Sequence, residues 1–424
     1  MKPVNRFLRC LVPPLAGLAT AAGCASVPAQ KDEASASPDE PSAARELEVP
    51  PDAADRLRVA LFNIRELRAA KIDDTDAGGV GAHPQLRAAA QVIQRVRPDV
   101  LVVQEIDLYL DGGGVELDRY ARRFADAYLA TGAAPIDYSF TFAAPSNTGL
   151  LTGIDLDRDG HVATDADRGE RRHGNDSFGY GTYPGEYSMA VLSRLPLAAD
   201  EARTFQRFLW RDLPGHHIPD GVYTPEALGI VRLSSKSHWD LPVRVGDRRL
   251  HLLVSHPTPS GFDGEEDRNG RRNFDEIKLW TDYLDGSEAL VDDRGRRGGY
   301  DNEEPFVVLG DLNARPDEER SVYDGKPAIA QLLEHPRIQD TGPVAISRGA
   351  LQNRQAGPPG HLERATAEFR GGIRIDYVLP SAELTVVDGG VFWPSRQEDP
   401  DGHAAAEAAS DHRLVWIDLA LDWN

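Results

Sequence analysis

Short apolar runs rich in β-branched residues recur along the chain: Leu57 to Ile64, Val100 to Ile106, Met189 to Leu192, Leu250 to Ser255, Phe306 to Leu309, Ile375 to Leu379 and Leu414 to Leu419. Runs of this length and composition read as buried or half-buried strands. Between some of them the apolar positions change to helical spacing. Leu86, Ala89, Ala90, Ile93 and Val96 fall on one face, with Pro98 just beyond. Phe274, Ile277, Leu279, Trp280 and Tyr283 make a second such stripe, and Ile329, Leu332 and Leu333 a third. Gly246-Asp247, between Pro242 to Val245 and Arg248 to Ser255, has the form of a two-residue hairpin turn, so at least part of the sheet is antiparallel. Together these elements predict a mixed α/β sandwich rather than a wound, all-parallel sheet. No internal repeat is present.

The N-terminus departs from this pattern. Lys2, Arg6 and Arg9 precede an apolar stretch from Leu11 to Ala22 that is broken by Pro13 and Pro14. That stretch has the length of a signal-peptide core and is too short to span a bilayer. It ends in Ala21-Ala22-Gly23-Cys24, which resembles a bacterial lipobox, although Ala21 stands where Leu is usual. The expectation is a signal peptide over 1–23, lipidation at Cys24 and a membrane contact through that anchor. The other cysteine, Cys10, lies inside the signal, so the mature chain has no pair for a disulfide. Residues 24–55 are rich in Ala, Ser, Pro, Glu and Asp without apolar periodicity and read as a solvated tether. Residues 56–424 are left as one domain. Ala25 is not the aspartate that would suggest inner-membrane retention, so the outer membrane or cell surface is expected.

Polar residues with chemical capacity cluster where the strands stop. Asn63 closes the first strand and Gln104-Glu105 the second. Ser255-His256-Pro257 and Gly310-Asp311-Leu312-Asn313 close two others; Arg374-Ile375-Asp376-Tyr377 opens another, and Ser410-Asp411-His412 precedes the last. Singly, each has an ordinary explanation: a solvated strand end, a turn aspartate or a surface histidine. As an ordered set they supply what phosphoester hydrolysis needs. Hard oxygen ligands suit Mg²⁺, Mn²⁺ or Ca²⁺, and a histidine beside a carboxylate provides a proton acceptor near neutral pH.

This series, in this order, resembles the motifs of the endonuclease/exonuclease/phosphatase superfamily over about Leu57 to Asn424. The resemblance implies an α/β fold, a four-layer α/β/β/α sandwich with two facing mixed sheets, and a site at one end of them. It implies Glu105 as the main ligand of a catalytic Mg²⁺ or Mn²⁺, with Asn63 beside it and Asp411 as a further carboxylate. Asp311 and Asn313 would orient water and hold phosphate. His412 and Asp376 would act as a dyad, and His256 would donate to a phosphate oxygen or the leaving group. Which group is base and which is acid stays open. The inositol-phosphatase branch is disfavoured, because Gly371-Gly372-Ile373-Arg374-Ile375-Asp376 lacks its Trp-Cys-Asp-Arg type segment.

Two further segments carry signals of their own. Asp155, Asp157 and Asp159, with Gly160 and Val162, match the first half of a calcium loop and predict a structural Ca²⁺, but the closing position is Ala166 rather than Glu. A solvated acidic loop is the plain alternative. Arg268, Asn269 and Arg271, in the polar run Asp267 to Asn273 at the start of a helical stripe, are expected to bind substrate phosphate. Ser235-Lys236-Ser237-His238 is a second candidate. The net charge of −21 weighs against tight nonspecific binding of duplex nucleic acid, so a small phosphoester is preferred to nucleic acid as substrate. No protein partner is implied. A noncatalytic binding module is disfavoured by intact motif positions. A serine or cysteine hydrolase is disfavoured by the absence of a nucleophile elbow and of a mature cysteine.

Overall fold

The computed structural model describes residues 56–110, 116–341 and 364–422. The expected signal peptide, Cys24 and the tether lie outside these residues. Among the described residues no helix is long and apolar enough to cross a membrane.

In chain order the strands are β1 (Arg56–Leu67), β2 (Val100–Ile106), β3 (Phe140–Phe142), β4 (Ser188–Ser193), β5 (Arg203–Thr204), β6 (His238–Val245), β7 (Arg248–Ser255) and β8 (Phe306–Asp311). They continue with β9 (Val322–Tyr323), β10 (Lys326–Pro327), β11 (Asp376–Pro380), β12 (Val386–Val391) and β13 (Val415–Ala420). One six-stranded sheet runs β12-β13-β1-β2-β4-β3 and one five-stranded sheet runs β11-β8-β7-β6-β5, with β9 and β10 forming a separate hairpin. In the first sheet β1 and β2 are parallel and the other pairs antiparallel; in the second, β7 and β8 are the parallel pair. Both sheets are therefore mixed. The β6–β7 turn is the two-residue hairpin expected, with a positive φ of 61° at Gly246.

Strand alternation divides the core. Val59 and Leu61 of β1 meet Leu241, Leu252 and Leu309 in a core shared by the two sheets. Ala60 and Phe62, on the opposite face of β1, pack with Leu86, Ile93 and Val96 of α1 (Pro84–Val96) and with Ala405 and Ala409 of α3 (Pro400–Ala409). On the second sheet, Leu253, Val308 and Leu379 face Phe274, Ile277 and Trp280 of α2 (Arg268–Leu284). Each sheet is thus covered on both faces, giving the layers helix, sheet, sheet, helix. This explains why the strands read as continuous apolar runs rather than clean alternations. Burying each large side chain in these layers contributes roughly 1.5–3 kcal/mol.

Several elements differ from expectation. The stripe at Ile329 to Leu333 forms only a single turn, Ala330–Leu333. Strands β3, β5, β12 and the β9–β10 hairpin, and helix α3, lie outside the apolar runs and stripes of the sequence. α3 is alanine-rich and has little amphipathic contrast to betray it. β12 contains Gly389-Gly390 and owes its conformation to pairing with β13.

Candidate active site

The two sheets converge at the ends of β1, β2, β7, β8 and β11. Gln104 at the end of β2 joins them: its Nε2 donates to Ser255 O of β7 (2.8 Å), and its Oε1 accepts from Asp311 N of β8 (2.7 Å). The approach requires glycine at 310, where a Cβ would lie 1.9 Å from the Ser255 carbonyl oxygen. Ladder register then places the chemistry. Asn63 pairs with Gln104 across β1 and β2, and Asp376 pairs with Asp311 across β11 and β8.

Asn63 is fully buried, and its Nδ2 donates to Glu105 Oε1 and Asp311 Oδ2, each at 3.1 Å. With both carboxylates on the amide nitrogen, the side-chain oxygen Oδ1 is left buried and without a partner. A buried orphan acceptor beside a carboxylate suits a hard cation, so the donor set fits a divalent metal at Asn63 and Glu105. Glu105 holds a left-handed backbone, φ 64°, and its Oε2 accepts from Glu66 N (2.9 Å). Asn313 is also left-handed, φ 50°. Positive φ at non-glycine residues is uncommon and collects at functional sites.

His412 Nδ1 lies 3.0 Å from both carboxylate oxygens of Asp376, whose Oδ2 also accepts from Thr366 Oγ1 (2.7 Å). The other ring nitrogen, Nε2, points to Asp311 Oδ2 at 3.7 Å. Burial pulls the imidazole pKa down, but the carboxylates of Asp376 and Asp311 outweigh it and raise His412 to about 10. Burial pushes Asp311 up to about 7; the His412 charge opposes this and Asp376 reinforces it. His256 is the converse case. Buried, and facing the charges of Lys236 and His412, it is driven well below the usual histidine range and is neutral. Its Nε2 lies 3.5 Å from Asp311 Oδ2, and its Nδ1 is buried with no partner.

Asp311, Asp376 and His412 place one ligand atom each within 4.8 Å of one another. His412 is fastened to Asp376 through Nδ1, and the trio is a candidate site for a divalent cation. Asn313 Nδ2 donates to Pro257 O (3.1 Å), tying the β8 end to the loop that carries His256. Asp411 is less enclosed, with its carboxylate 3.6 Å from Arg65 Nη1. Asn63, Glu105, His256, Asp311, Asn313, Asp376 and His412 are therefore brought together, with Asp411 at the rim.

The three residues of the basic cluster differ in how they are held. Asn269 donates to Gly261 O (2.6 Å) and takes Asp263 Oδ2 on its backbone amide, while Arg271 donates to Glu266 O (3.0 Å) and stacks on Tyr323. Both therefore fasten residues 261–266, the loop that precedes the left-handed Asp267 at the start of α2. Of the three, only the Arg268 side chain has no hydrogen bond or ion pair among the described residues. Arg272, by contrast, is sunk against the carbonyls of Phe178, Arg232, Leu233 and Ser234 and is structural. The carboxylates of Asp155, Asp157 and Asp159 do converge within 4.8 Å. Their contacts, such as Asp155 Oδ2 with Gly160 N, are those of a self-capped turn as well as of a cation loop.

Four further residues contribute, of which only Ser410 belongs to the strand-end series. Thr366 fixes Asp376 from a stretch with no apolar pattern, and no signal marks it. Ser410 Oγ donates to Asn63 O (2.8 Å) and accepts from His412 N. Phe369 sets its ring edge-on to His412, centroids 5.4 Å apart. Glu276 is the fourth, and its position on the apolar stripe of α2 was the available clue.

Two facing mixed sheets with amides, carboxylates and a His–Asp dyad at their joined ends define the class of phosphoester-hydrolase sandwiches. The chain belongs to the Endonuclease/Exonuclease/phosphatase family, whose family model matches residues 60–412. No curated protein matches it. Solved structures with similar folds include an endonuclease/exonuclease/phosphatase from Beutenbergia cavernae DSM 12333, at 20% identity and TM-score 0.48, covering 87% of this chain and 72% of that one. The human Nocturnin catalytic domain with bound sulfate is similar at 14% identity and TM-score 0.42, covering 86% and 94%. TDP2 from Caenorhabditis elegans is similar at 12% identity and TM-score 0.38, covering 86% and 74%.

Proposed function

We propose that this chain is an exported, divalent-metal-dependent hydrolase of small phosphodiesters or phosphomonoesters. The observation that carries the reading is the buried, unpartnered Asn63 Oδ1 beside Glu105, opposite a His412–Asp376 dyad aimed at Asp311. A Mg²⁺ or Mn²⁺ held by Asn63 and Glu105, with Asp411 at its rim, would neutralise charge on the phosphoryl group. Asp311 and Asn313 orient the attacking water and the phosphate. His412, kept protonated by Asp376 and Asp311, gives a fixed positive charge where charge develops. Neutral His256 offers a hydrogen-bond donor without adding charge, and its two nitrogens have no competing protein partner closer than 3.5 Å. Lys236 is 7% exposed and its side chain makes no hydrogen bond or ion pair among the described residues, so Nζ is open to a phosphate oxygen, and burial lowers its pKa. Export and attachment through Cys24 are supported by the N-terminal sequence.

The acidic balance favours small esters over nucleic acid. Purified protein given bis(p-nitrophenyl) phosphate, p-nitrophenyl phosphate and plasmid DNA with Mg²⁺ or Mn²⁺ is expected to turn over one of the small esters at least tenfold faster, per phosphate, than it nicks the plasmid. Preferential nicking would replace this reading with an extracellular nuclease. Binding of phosphate without turnover of any substrate would leave a noncatalytic module.

A further inference from the structure

Glu276 lies in the middle of α2 and is fully buried. Its Oε1 accepts from Ser235 N and its Oε2 from Thr258 N, both at 2.6 Å. These amides belong to two different loops. Ser235 leads directly into Lys236, just before β6, and Thr258 follows His256 by two residues, just after β7. One carboxylate thus holds the segments bearing two candidate phosphate donors, Lys236 and His256.

Neighbouring positions on α2 serve the same joint. Arg272 gathers the carbonyls of residues 232–234, Asn273 donates to Thr258 O and Leu312 O, and Trp280 Nε1 donates to Ser255 Oγ. Positions 272, 276 and 280 share one helical face. That face would ordinarily be apolar, and a buried carboxylate is tolerated there because both oxygens are satisfied.

We propose that Glu276 is the positioning residue for the phosphate-facing end of the site, setting Lys236 and His256 together against the phosphate held beside Asp311. The inference rests on the hydrolase reading above. It adds that substrate grip and metal affinity are built on separate supports: β1 and β2 carry Asn63 and Glu105, while α2 carries Lys236 and His256 through Glu276.

Glu276→Gln separates them. The amide can accept only one of the two backbone N–H groups, and its own NH₂ must face the other, so one loop is released. The expected result is at least a tenfold loss of inorganic phosphate affinity by calorimetry and a similar rise in KM for bis(p-nitrophenyl) phosphate. Mn²⁺ affinity should stay within twofold of wild type. In the Lys236→Ala background, Glu276→Gln should cost clearly less than it does alone, since part of what it positions is gone. Unchanged phosphate affinity, a parallel loss of Mn²⁺ affinity, or full multiplicativity with Lys236→Ala would each overturn the proposal. Should the Gln variant not fold, Glu276→Asp, which keeps both acceptor oxygens but retracts them, carries the same comparison. Phosphate affinity reads the joint without turnover, so failure of the hydrolase reading and failure of this one are distinguishable.

Discussion

Glu105→Ala is expected to lower metal-dependent turnover by about 10³-fold or more, since a bound Lewis acid supplies several kcal/mol of charge stabilisation and each ~1.4 kcal/mol is a factor of ten. The side chain is half-buried at the end of β2, and its contacts are a single backbone amide, Glu66 N, and the Asn63 amide. Losing them removes little from the core, so the variant should fold. Its cost in stability should be on the order of 1–2 kcal/mol, the scale of one or two hydrogen bonds. Glu105→Gln keeps the shape and removes the charge, and should lose turnover to a similar degree. The check is kcat at saturating Mn²⁺ alongside far-ultraviolet circular dichroism; activity within tenfold of wild type in both variants would remove Glu105 from the metal site.

His412→Ala carries the second largest expectation, a loss of about 10²–10⁴-fold in kcat, the range for a positioned proton-transfer or charged group. Two features set the size. The imidazole is gripped by both oxygens of Asp376, and Asp376 is itself fixed by Thr366, so the ring has one orientation. Its charge is stabilised by buried carboxylates, so a neutral replacement loses the charge as well as the donor. Asp376→Asn should reproduce much of the loss while leaving the histidine in place. Since Asp376 also pairs in register with Asp311, a change in the ladder would show as lost stability, and kcat should be read together with the melting temperature. A His412→Ala enzyme retaining a tenth of wild-type kcat would contradict the dyad.

What the chain disclosed in advance follows from which forces leave a local mark. The strands of the central sheets are legible because both faces are buried, so Val100 to Val103 and Phe306 to Leu309 are apolar throughout. The strand-end residues were legible because they keep a fixed order, and the structure brings Asn63, Glu105, His256, Asp311 and His412 to one end of the two sheets. What stayed hidden depends on contacts distant in sequence. β12 is a strand because β13 lies beside it, and Thr366 matters because β11 brings Asp376 to it. The contacts of Asn269 and Arg271 are hidden for the same reason. A basic, polar helix start fits phosphate binding, but the carbonyls of Gly261 and Glu266 that take up these side chains come from a loop whose path the sequence does not reveal. Lys236 stands out by its charge, but the contact that fastens its loop comes from Glu276, which sequence patterning presents only as an acidic residue in a helix.

The most direct test of the account is metal dependence in the unaltered protein. Protein stripped with EDTA and dialysed should hydrolyse neither bis(p-nitrophenyl) phosphate nor p-nitrophenyl phosphate above background, and Mg²⁺ or Mn²⁺ should restore turnover of at least one in a saturable way. Equal turnover with and without EDTA, or no turnover of either ester at any metal concentration, would contradict a metal-dependent phosphoester hydrolase at this site.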